Sequence, residues 1–133
     1  MTQRYMLDTN VVSHIMQGRD AALLARLTQV PVGEVVISSV TLAELEHGMH
    51  RKRQPARLKN AMTQLLLRVD VLPWDEAVAR CFGLLCSSLE ARGVNLSDLD
   101  MMIAAHAVAV DAVLVSRDEA FAQVSEPLKL DAW

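Results

Sequence analysis

The sequence predicts an α/β fold in which helices cover both faces of a central parallel sheet of four to five strands, a three-layer α/β/α arrangement. Short β-branched and apolar runs alternate along the chain with longer segments of helical periodicity. The strand runs are apolar at most positions rather than at alternate ones, which is typical of strands buried on both faces. We expect one domain over residues 1–133, a length that can bury a core.

The first strand is expected in RYML, residues 4–7. The helix that follows should have Asn10 as its N-cap and end at Gly18, because asparagine caps helices and glycine commonly ends them. A second helix continues through AALLARLTQV, residues 21–30. The β-branched run EVVISS, residues 34–39, predicts the second strand.

Two further helices, VTLAELEHGMHR and ARLKNAMTQLLLRV, should be separated near Pro55, because proline interrupts a helix. VDVLP then predicts a short third strand. A long helix follows in DEAVARCFGLLCSSLEARG, which has acidic residues in its first turn.

The last third of the chain predicts one more helix and two more strands. SDLDMMIAAHAVAVD forms the helix, with Ser97 as its N-cap. AVLVS, residues 112–116, is the fourth strand, and LKL, residues 128–130, is the fifth. The strand–helix alternation is therefore maintained to the end of the chain.

The amino-acid composition limits the kinds of function that the chain can have. The formal net charge of −3 argues against a non-specific nucleic-acid coat protein. Residues 47–60 nevertheless carry three arginines and two lysines without an acid, which leaves a phosphate-bearing ligand open. We expect no membrane span and no secretory signal, and reduced thiols at Cys81 and Cys86, so the predicted location is the cytoplasm.

Four carboxylates from distant parts of the sequence are expected at one edge of the sheet. Asp8 and Asp118 follow the first and fourth strands, and Glu44 lies a few residues past the second. Asp100 lies in the first turn of the helix that precedes the fourth strand. A right-handed crossover places that turn at the same, carboxyl edge. Ligands of open parallel sheets bind at this edge.

Converging carboxylates repel one another and raise one another's pKa unless a cation neutralises them. Oxygen-only ligand sets suit Mg²⁺ or Mn²⁺, whereas Zn²⁺ usually recruits His or Cys. Such an ion can activate water for attack on phosphorus, so the acids predict a metal-dependent phosphoryl-transfer centre. Taken singly, each acid could instead serve a helix dipole, cap a turn or face solvent.

Five segments together carry a family resemblance: MLDTNVVSHI, ISSVTLAELEHGM, VLPWDEAVA, DMMIAAHAVAVDAVLVSRDEAF and LKLDAW. With these segments the chain resembles the PIN-domain ribonucleases, and more closely the VapC-type toxins of bacterial toxin–antitoxin pairs, over nearly its whole length. The resemblance implies an α/β/α domain with an acidic Mg²⁺ or Mn²⁺ pocket. It also implies endonucleolytic RNA cleavage, with the anticodon loop of initiator tRNA as the favoured substrate, and restraint by a VapB-like antitoxin in a homodimer and higher toxin–antitoxin assembly.

The resemblance assigns metal binding and catalysis to four residues: Asp8, Glu44, Asp100 and Asp118. Thr9 and Asn10 belong to the first motif and are implied to support the pocket. Glu119 is the alternative to Asp118, because many relatives have a longer polar stretch there. Relatives often have proline near the position of Asp98, so that acid is expected to be a bystander with an outer role.

Four basic residues could contact RNA or antitoxin, or could be ordinary solvated surface residues: Arg51, Lys52, Arg53 and Arg117. Arg117 could grip a phosphate or pair with the neighbouring acids. His106 is expected to be a hydrogen-bonded structural histidine. His47 and His50 have a spacing that could hold Zn²⁺, but a second ligand pair is not evident.

Three other classes of function compete with a toxin ribonuclease: another PIN nuclease, a binding module, and a phosphatase or receiver domain. A PIN nuclease of RNA processing would use the same acids. A catalytically silent binding module would lack one of them, yet all four positions are acidic. A phosphatase of the haloacid type needs a second aspartate in the first motif, where LDTN has none, and a receiver domain needs a late lysine and a mid-chain acceptor aspartate that Lys129 and VLPWD do not match well.

Overall fold

The computed structural model describes residues 3–51 and 53–133. Within these residues five strands form one sheet with the order β3-β2-β1-β4-β5, and every neighbouring pair is parallel. The strands are β1 (Tyr5–Leu7), β2 (Val35–Ser38), β3 (Asp70–Leu72), β4 (Val113–Val115) and β5 (Lys129–Asp131). The predicted parallel α/β fold is confirmed, with the fifth strand one residue later than expected.

The helices connect these strands. They are α1 (Thr9–Gln17), α2 (Ala21–Gln29), α3 (Ser39–Arg51), α4 (Ala56–Arg68), α5 (Glu76–Ala91) and α6 (Asp98–Ala109). A 3₁₀ helix (Glu119–Gln123), which was not predicted, lies between β4 and β5. None of the helices in the described parts of the chain is long and apolar enough to cross a membrane.

The sheet separates two hydrophobic cores. Side chains of successive strand residues point to opposite faces. Met6 and Leu114 therefore pack on one face in the core that includes α5 and α6 residues, such as Leu89. Leu7 and Val115 pack on the other face, in the core that includes residues of α1, α2 and α4. This distribution gives the three layers that the apolar strands predicted.

The register of the central strands aligns the positions that follow them. Leu7 of β1 pairs with Val115 of β4, so Asp8 and Ser116 come next at the same edge of the sheet. Ser38, the last residue of β2, is level with Leu72 of β3. The carboxyl ends of the strands thus form the shared edge on which the acids were expected.

The cap of α1 differs from the prediction. Asp8, not Asn10, is the N-cap, because Asp8 has an extended backbone and its side chain accepts the N–H of Val11. Gly18 ends the helix as predicted, in the left-handed conformation (φ 69°) that glycine adopts without strain. Ser97 caps α6 as predicted, with its hydroxyl accepting the N–H of Asp100.

Candidate functional site: an acidic centre at the carboxyl edge

Asp8 is the most enclosed carboxylate of the site, with 4% of its surface exposed. Its Oδ1 accepts the backbone N–H of Val11 (2.8 Å), and its Oδ2 accepts the hydroxyl of Ser116 (2.5 Å). Its own N–H donates to the backbone oxygen of Val115 (3.1 Å). Both the backbone and the side chain of Asp8 are therefore fixed before any ligand binds.

The surroundings of Asp8 disfavour its negative charge. Burial is the largest cause that raises its pKa, and the hydrogen bonds from Ser116 and Val11 oppose this effect. The carboxylates of Asp100 and Asp118 raise the pKa of Asp8 further. The charges of two acids that are far from Asp8 in the sequence thus reach its carboxyl group.

Glu44 joins this group through Thr9. The Thr9 hydroxyl lies 2.6 Å from Glu44 Oε1 and 3.3 Å from the hydroxyl of Thr41, a fully buried residue of α3. Thr9 directly follows Asp8, so the hydrogen bond anchors the Glu44 carboxylate beside the end of β1. Thr9 therefore connects the end of β1 to Glu44, and its support of a metal pocket stays a prediction.

The two aspartates of α6 face different neighbours. The charge of Asp100 acts on Asp8, whereas the charge of Asp98 raises the pKa of Cys86 on α5, after the larger effects of burial and Glu90. Asp98 is exposed, and Asp100 is half-buried. The charge of Asp100 therefore reaches Asp8, whereas the charge of Asp98 reaches the neighbouring helix.

Ser116 is a site residue that the sequence reasoning missed. Its hydroxyl donates to Asp8 Oδ2 and accepts the backbone N–H of Asp118 (3.0 Å). It is almost fully buried, with 3% exposed. A hydroxyl at the end of a strand that neighbours β1 was the available signal, since the final serine of AVLVS had to lie close to Asp8.

Asp118 and its neighbours form the open side of the centre. Asp118 is exposed and caps the 3₁₀ helix by accepting the N–H of Ala120 (2.9 Å). Asn10, which is also exposed, lines a cavity of about 480 Å³ together with Asp118, His14 and Arg117. The contribution of Asn10 to the site is thus to the wall of this cavity rather than to the helix cap.

Arg117 does not pair with the acids of the centre, so that alternative is wrong. Its Nη1 lies 2.7 Å from Asp20 Oδ2, and its Nε donates to the backbone oxygen of Trp133 (2.7 Å). The physical reason is that Asp20, the N-cap of α2, offers a carboxylate that the N–H of Leu23 stabilises in its charged form. The N–H of Leu23 is the largest cause that lowers the pKa of Asp20, and the ion pair with Arg117 lowers it further. Arg117 keeps contact with the open cavity, which it helps to line.

The basic segment begins beside the centre. Arg51 lines a groove of about 370 Å³ whose walls also include Thr9, Glu44 and Gln54. Arg53 is exposed, and Lys52 lies outside the described residues. Among the described basic residues of this segment, Arg51 is the one that shares this groove with Glu44.

The donor chemistry fits a hard divalent cation. Its potential ligands are carboxylate oxygens, and a cation would offset both the burial and the neighbouring charges that raise the pKa of Asp8. Across residues 3–51 and 53–133, no three His, Cys, Asp or Glu side chains already converge as a closed metal cage. Mg²⁺ does not require such a cage, because it usually keeps several waters and takes only one or two carboxylates. The same observation gives no support to a zinc site at His47 and His50. His50 Nε2 instead lies 3.3 Å from Glu46 Oε2.

The sequence pattern of the PIN domain matches residues 5–127 of the chain, which include all four acids. The chain belongs to the PIN-domain family. This PIN domain is 33% identical to ribonuclease VapC2 of Haemophilus influenzae over 115 residues, which are 86% of each chain. It is 29% identical to the tRNA(fMet)-specific endonuclease VapC of Shigella flexneri, with 98% of each chain covered.

Solved structures agree with this placement. The PIN domain matches a chain in the crystal structure of VapBC2 from Rickettsia felis bound to a promoter DNA fragment, with a TM-score of 0.91, 26% identity and coverage of 98% of this chain and 99% of that chain. A chain in the DNA-bound VapBC structure from Salmonella typhimurium gives a TM-score of 0.90, with 26% identity and 99% of both chains covered. The expected VapC-type PIN fold is confirmed.

The metal-free PIN domain should become more stable at neutral pH when Asp8 is changed to Asn. The pKa of Asp8 in the folded state is raised above the ordinary value of 3.8. Protonated Asp8 therefore contributes its full share to the free energy of unfolding below pH 3.8, and this share is lost as the pH rises through the folded-state pKa. The asparagine side chain cannot ionise and avoids this loss. In urea unfolding with EDTA, the Asp8→Asn variant should exceed the wild type at pH 7.5, and the gap should shrink near pH 4. Equal stabilities at pH 7.5 would contradict the raised pKa.

Proposed function

We propose that this PIN domain is a metal-dependent endoribonuclease and the toxin of a toxin–antitoxin pair. The observation that carries the proposal is the hydrogen bonding at the carboxyl edge, where Ser116 joins Asp8 to the Asp118 backbone and Thr9 anchors Glu44. The charge of Asp100 also reaches Asp8 there. The names of the VapC ribonucleases that it resembles support RNA as the substrate.

The four acids would hold one or two Mg²⁺ or Mn²⁺ ions. When bound, such an ion supplies polarisation of the scissile phosphate and activation of water. The chain itself contributes order: Ser116 holds Asp8 and the Asp118 backbone in one hydrogen-bonded unit, and Thr9 holds one oxygen of Glu44. These contacts set the carboxylates in place before the RNA arrives, so that little reorganisation accompanies the reaction.

RNA would reach the centre along the groove beside α3. Glu44 and Arg51 both line this groove, and their spacing of seven residues puts them on the same face of the helix, two turns apart. A guanidinium at that position suits a backbone phosphate next to the one that is cut. Arg53 and Lys52 follow as further contacts to RNA or antitoxin, and Arg117 is a third on the side of Asp118.

Arg51→Gln should weaken RNA binding with a smaller dependence on salt. Loss of one phosphate contact reduces the slope of log affinity against log salt by about one. Binding is best measured in the Asp100→Asn background, so that the RNA is cut only slowly during the titration. Arg80→Gln is the matched control, since Arg80 is exposed on α5 and pairs with Glu76. An Arg51→Gln slope equal to that of the control would show that Arg51 is an ordinary solvated residue and does not contact a phosphate.

The proposed substrate is the anticodon loop of initiator tRNA, because two of the similar curated proteins, from Shigella flexneri and Salmonella typhimurium, are named tRNA(fMet)-specific endonucleases. The proposed partner is a VapB-like antitoxin, because the matching structures are VapBC complexes. We further propose a homodimer within a higher toxin–antitoxin assembly, acting in the cytoplasm.

Cleavage by the purified protein tests this function. Incubation with initiator tRNA and with an elongator tRNA should give cuts only when Mg²⁺ or Mn²⁺ is present, and EDTA should abolish them. Attack by water predicts one 5′-phosphate and one 3′-hydroxyl end at each cut, whereas attack by the 2′-hydroxyl would leave a cyclic phosphate. Cuts in EDTA with cyclic-phosphate ends would overturn the metal-nuclease proposal. Cuts confined to the elongator tRNA would overturn only the substrate.

A further inference from the structure

A buried histidine connects two of the helices that carry acids. His106 lies on α6, six residues after Asp100, and has no exposed surface. Its Nδ1 is 2.7 Å from the hydroxyl oxygen of Ser38, the last residue of β2. Ser38 leads directly into α3, which carries Glu44. One side-chain hydrogen bond thus joins the helix of Asp100 to the start of the helix of Glu44.

The hydrogen bond between His106 and Ser38 lies in defined surroundings at both of its ends. The Ser38 oxygen also accepts the N–H of Val40 (3.1 Å), which orders the first turn of α3. His106 Nε2 is buried and has no hydrogen-bond partner among the described residues. The bond to Ser38 is therefore the polar contact of the ring, and in either neutral tautomer the ring can make it.

The ring is held neutral by its position. Burial is the largest cause that lowers the pKa of His106. Two charged groups with opposite effects reach it: Asp75, the N-cap of α5, raises the pKa, and Arg4, which precedes β1, lowers it. A protonated ring would bury a second N–H without an acceptor, so the neutral form is the one that fits.

We propose that His106 is a positioning residue that, through Ser38, sets the first turns of α6 and α3 relative to each other and thereby fixes Asp100 with respect to Glu44. This inference rests on the proposed metal site but adds a residue that lies outside it. Trp74 provides a second link in the same region, since its indole N–H donates to the Met102 backbone oxygen and its backbone N–H donates to the Ser39 hydroxyl. His106 and Trp74 together hold α6 against the beginning of α3.

Two amide substitutions separate positioning from simple core filling. The side-chain amide of Asn can occupy the place of Nδ1, whereas that of Gln reaches the place of Nε2. We therefore expect His106→Asn to keep the contact with Ser38, and His106→Gln, His106→Leu and Ser38→Ala to lose it. Leu89→Ala is the control for lost packing, because Leu89 is fully buried on α5, which carries none of the four acids.

The first measurement is Mn²⁺ binding by calorimetry at pH 7.5 without RNA, with unfolding curves to confirm that each variant is folded. Loss of the contact should weaken Mn²⁺ binding about tenfold. This is the lower end of the effect of removing a direct partner of a metal ligand, because His106 and Ser38 act on the acids through the backbone of α6 and α3. His106→Asn should stay within about threefold of the wild type, and so should Leu89→Ala. Wild-type affinity in both His106→Leu and Ser38→Ala would overturn the inference. Absence of Mn²⁺ binding in the wild type would instead count against the proposed function.

The second measurement does not require metal. Amide hydrogen exchange should become faster in the first turns of both α3 and α6 in Ser38→Ala and in His106→Leu, and the increase there should exceed the general increase that lost stability produces in Leu89→Ala. Faster exchange confined to the neighbourhood of the substituted residue would overturn the positioning role, even if the metal site proved correct.

Discussion

Asp100→Asn should lower metal-dependent RNA cleavage by roughly a hundredfold or more while the protein remains folded. The substitution keeps the shape of the side chain and removes one of the negative charges that act on Asp8. A site that holds a cation loses attraction for it, whereas the metal-free protein is relieved of repulsion. Initial cleavage rates at a fixed Mn²⁺ concentration, together with urea unfolding in EDTA, measure the two effects.

Asp98→Asn is the matched control for this experiment. It removes the same charge from the same helix turn, but Asp98 is exposed and its field reaches Cys86 rather than Asp8. We expect cleavage within a few-fold of the wild type, since Asp98 adds only to the general negative field. A greater loss from Asp98→Asn than from Asp100→Asn would reverse the assignment of the ligand on α6.

Phe121→Ala should destabilise the protein by about 3–5 kcal/mol, the usual cost of emptying a buried phenylalanine site. Phe121 is 1% exposed and lies in the 3₁₀ helix that Asp118 caps. A loss of this size is a large part of a typical domain stability of about 5–15 kcal/mol. Because Phe121 anchors the segment that carries Asp118, cleavage measured below the unfolding temperature should also decrease.

Leu84→Ala is the comparison for this second prediction. Leu84 is 77% exposed, so its truncation should change the stability of the monomer by no more than about 0.5 kcal/mol. Urea unfolding of both variants gives the difference directly. A Phe121→Ala variant as stable as Leu84→Ala would show that the 3₁₀ helix is not held by its aromatic side chain.

Much of the site was predictable because topology follows from local patterns. Apolar strands alternating with helices indicate a parallel sheet, and the right-handed crossover then brings the first turn of α6 to the edge where β1 ends. Those two rules were sufficient to expect Asp8 and Asp100 at one place. The choice of Asp100 over Asp98 came from the family resemblance, because α6 is apolar nearly all round and its periodicity favours neither acid.

The remaining contacts depend on side chains that meet only after the sheet has formed. The hydrogen bond from Ser116 to Asp8 joins residues that are 108 positions apart in the sequence. The ion pair of Arg117 and Asp20 likewise joins distant parts of the chain. Helix periodicity carries no information about such pairs. The cap of α1 was misplaced for a related reason: Asp8 both caps the helix and belongs to the acidic centre. The sequence reasoning treated those two roles of Asp8 as alternatives and assigned the cap of α1 to Asn10.

Replacement of one scissile phosphate oxygen by sulfur tests most directly whether a metal ion at the four acids acts on the RNA. Mg²⁺ prefers oxygen ligands, whereas Mn²⁺ also accepts sulfur. An RNA with a phosphorothioate at its mapped cleavage site should be cut slowly in Mg²⁺ in at least one sulfur configuration, and Mn²⁺ should restore the rate relative to the oxygen RNA. Unimpaired cutting in Mg²⁺, or cutting that persists in EDTA, would contradict a metal ion that contacts the phosphate.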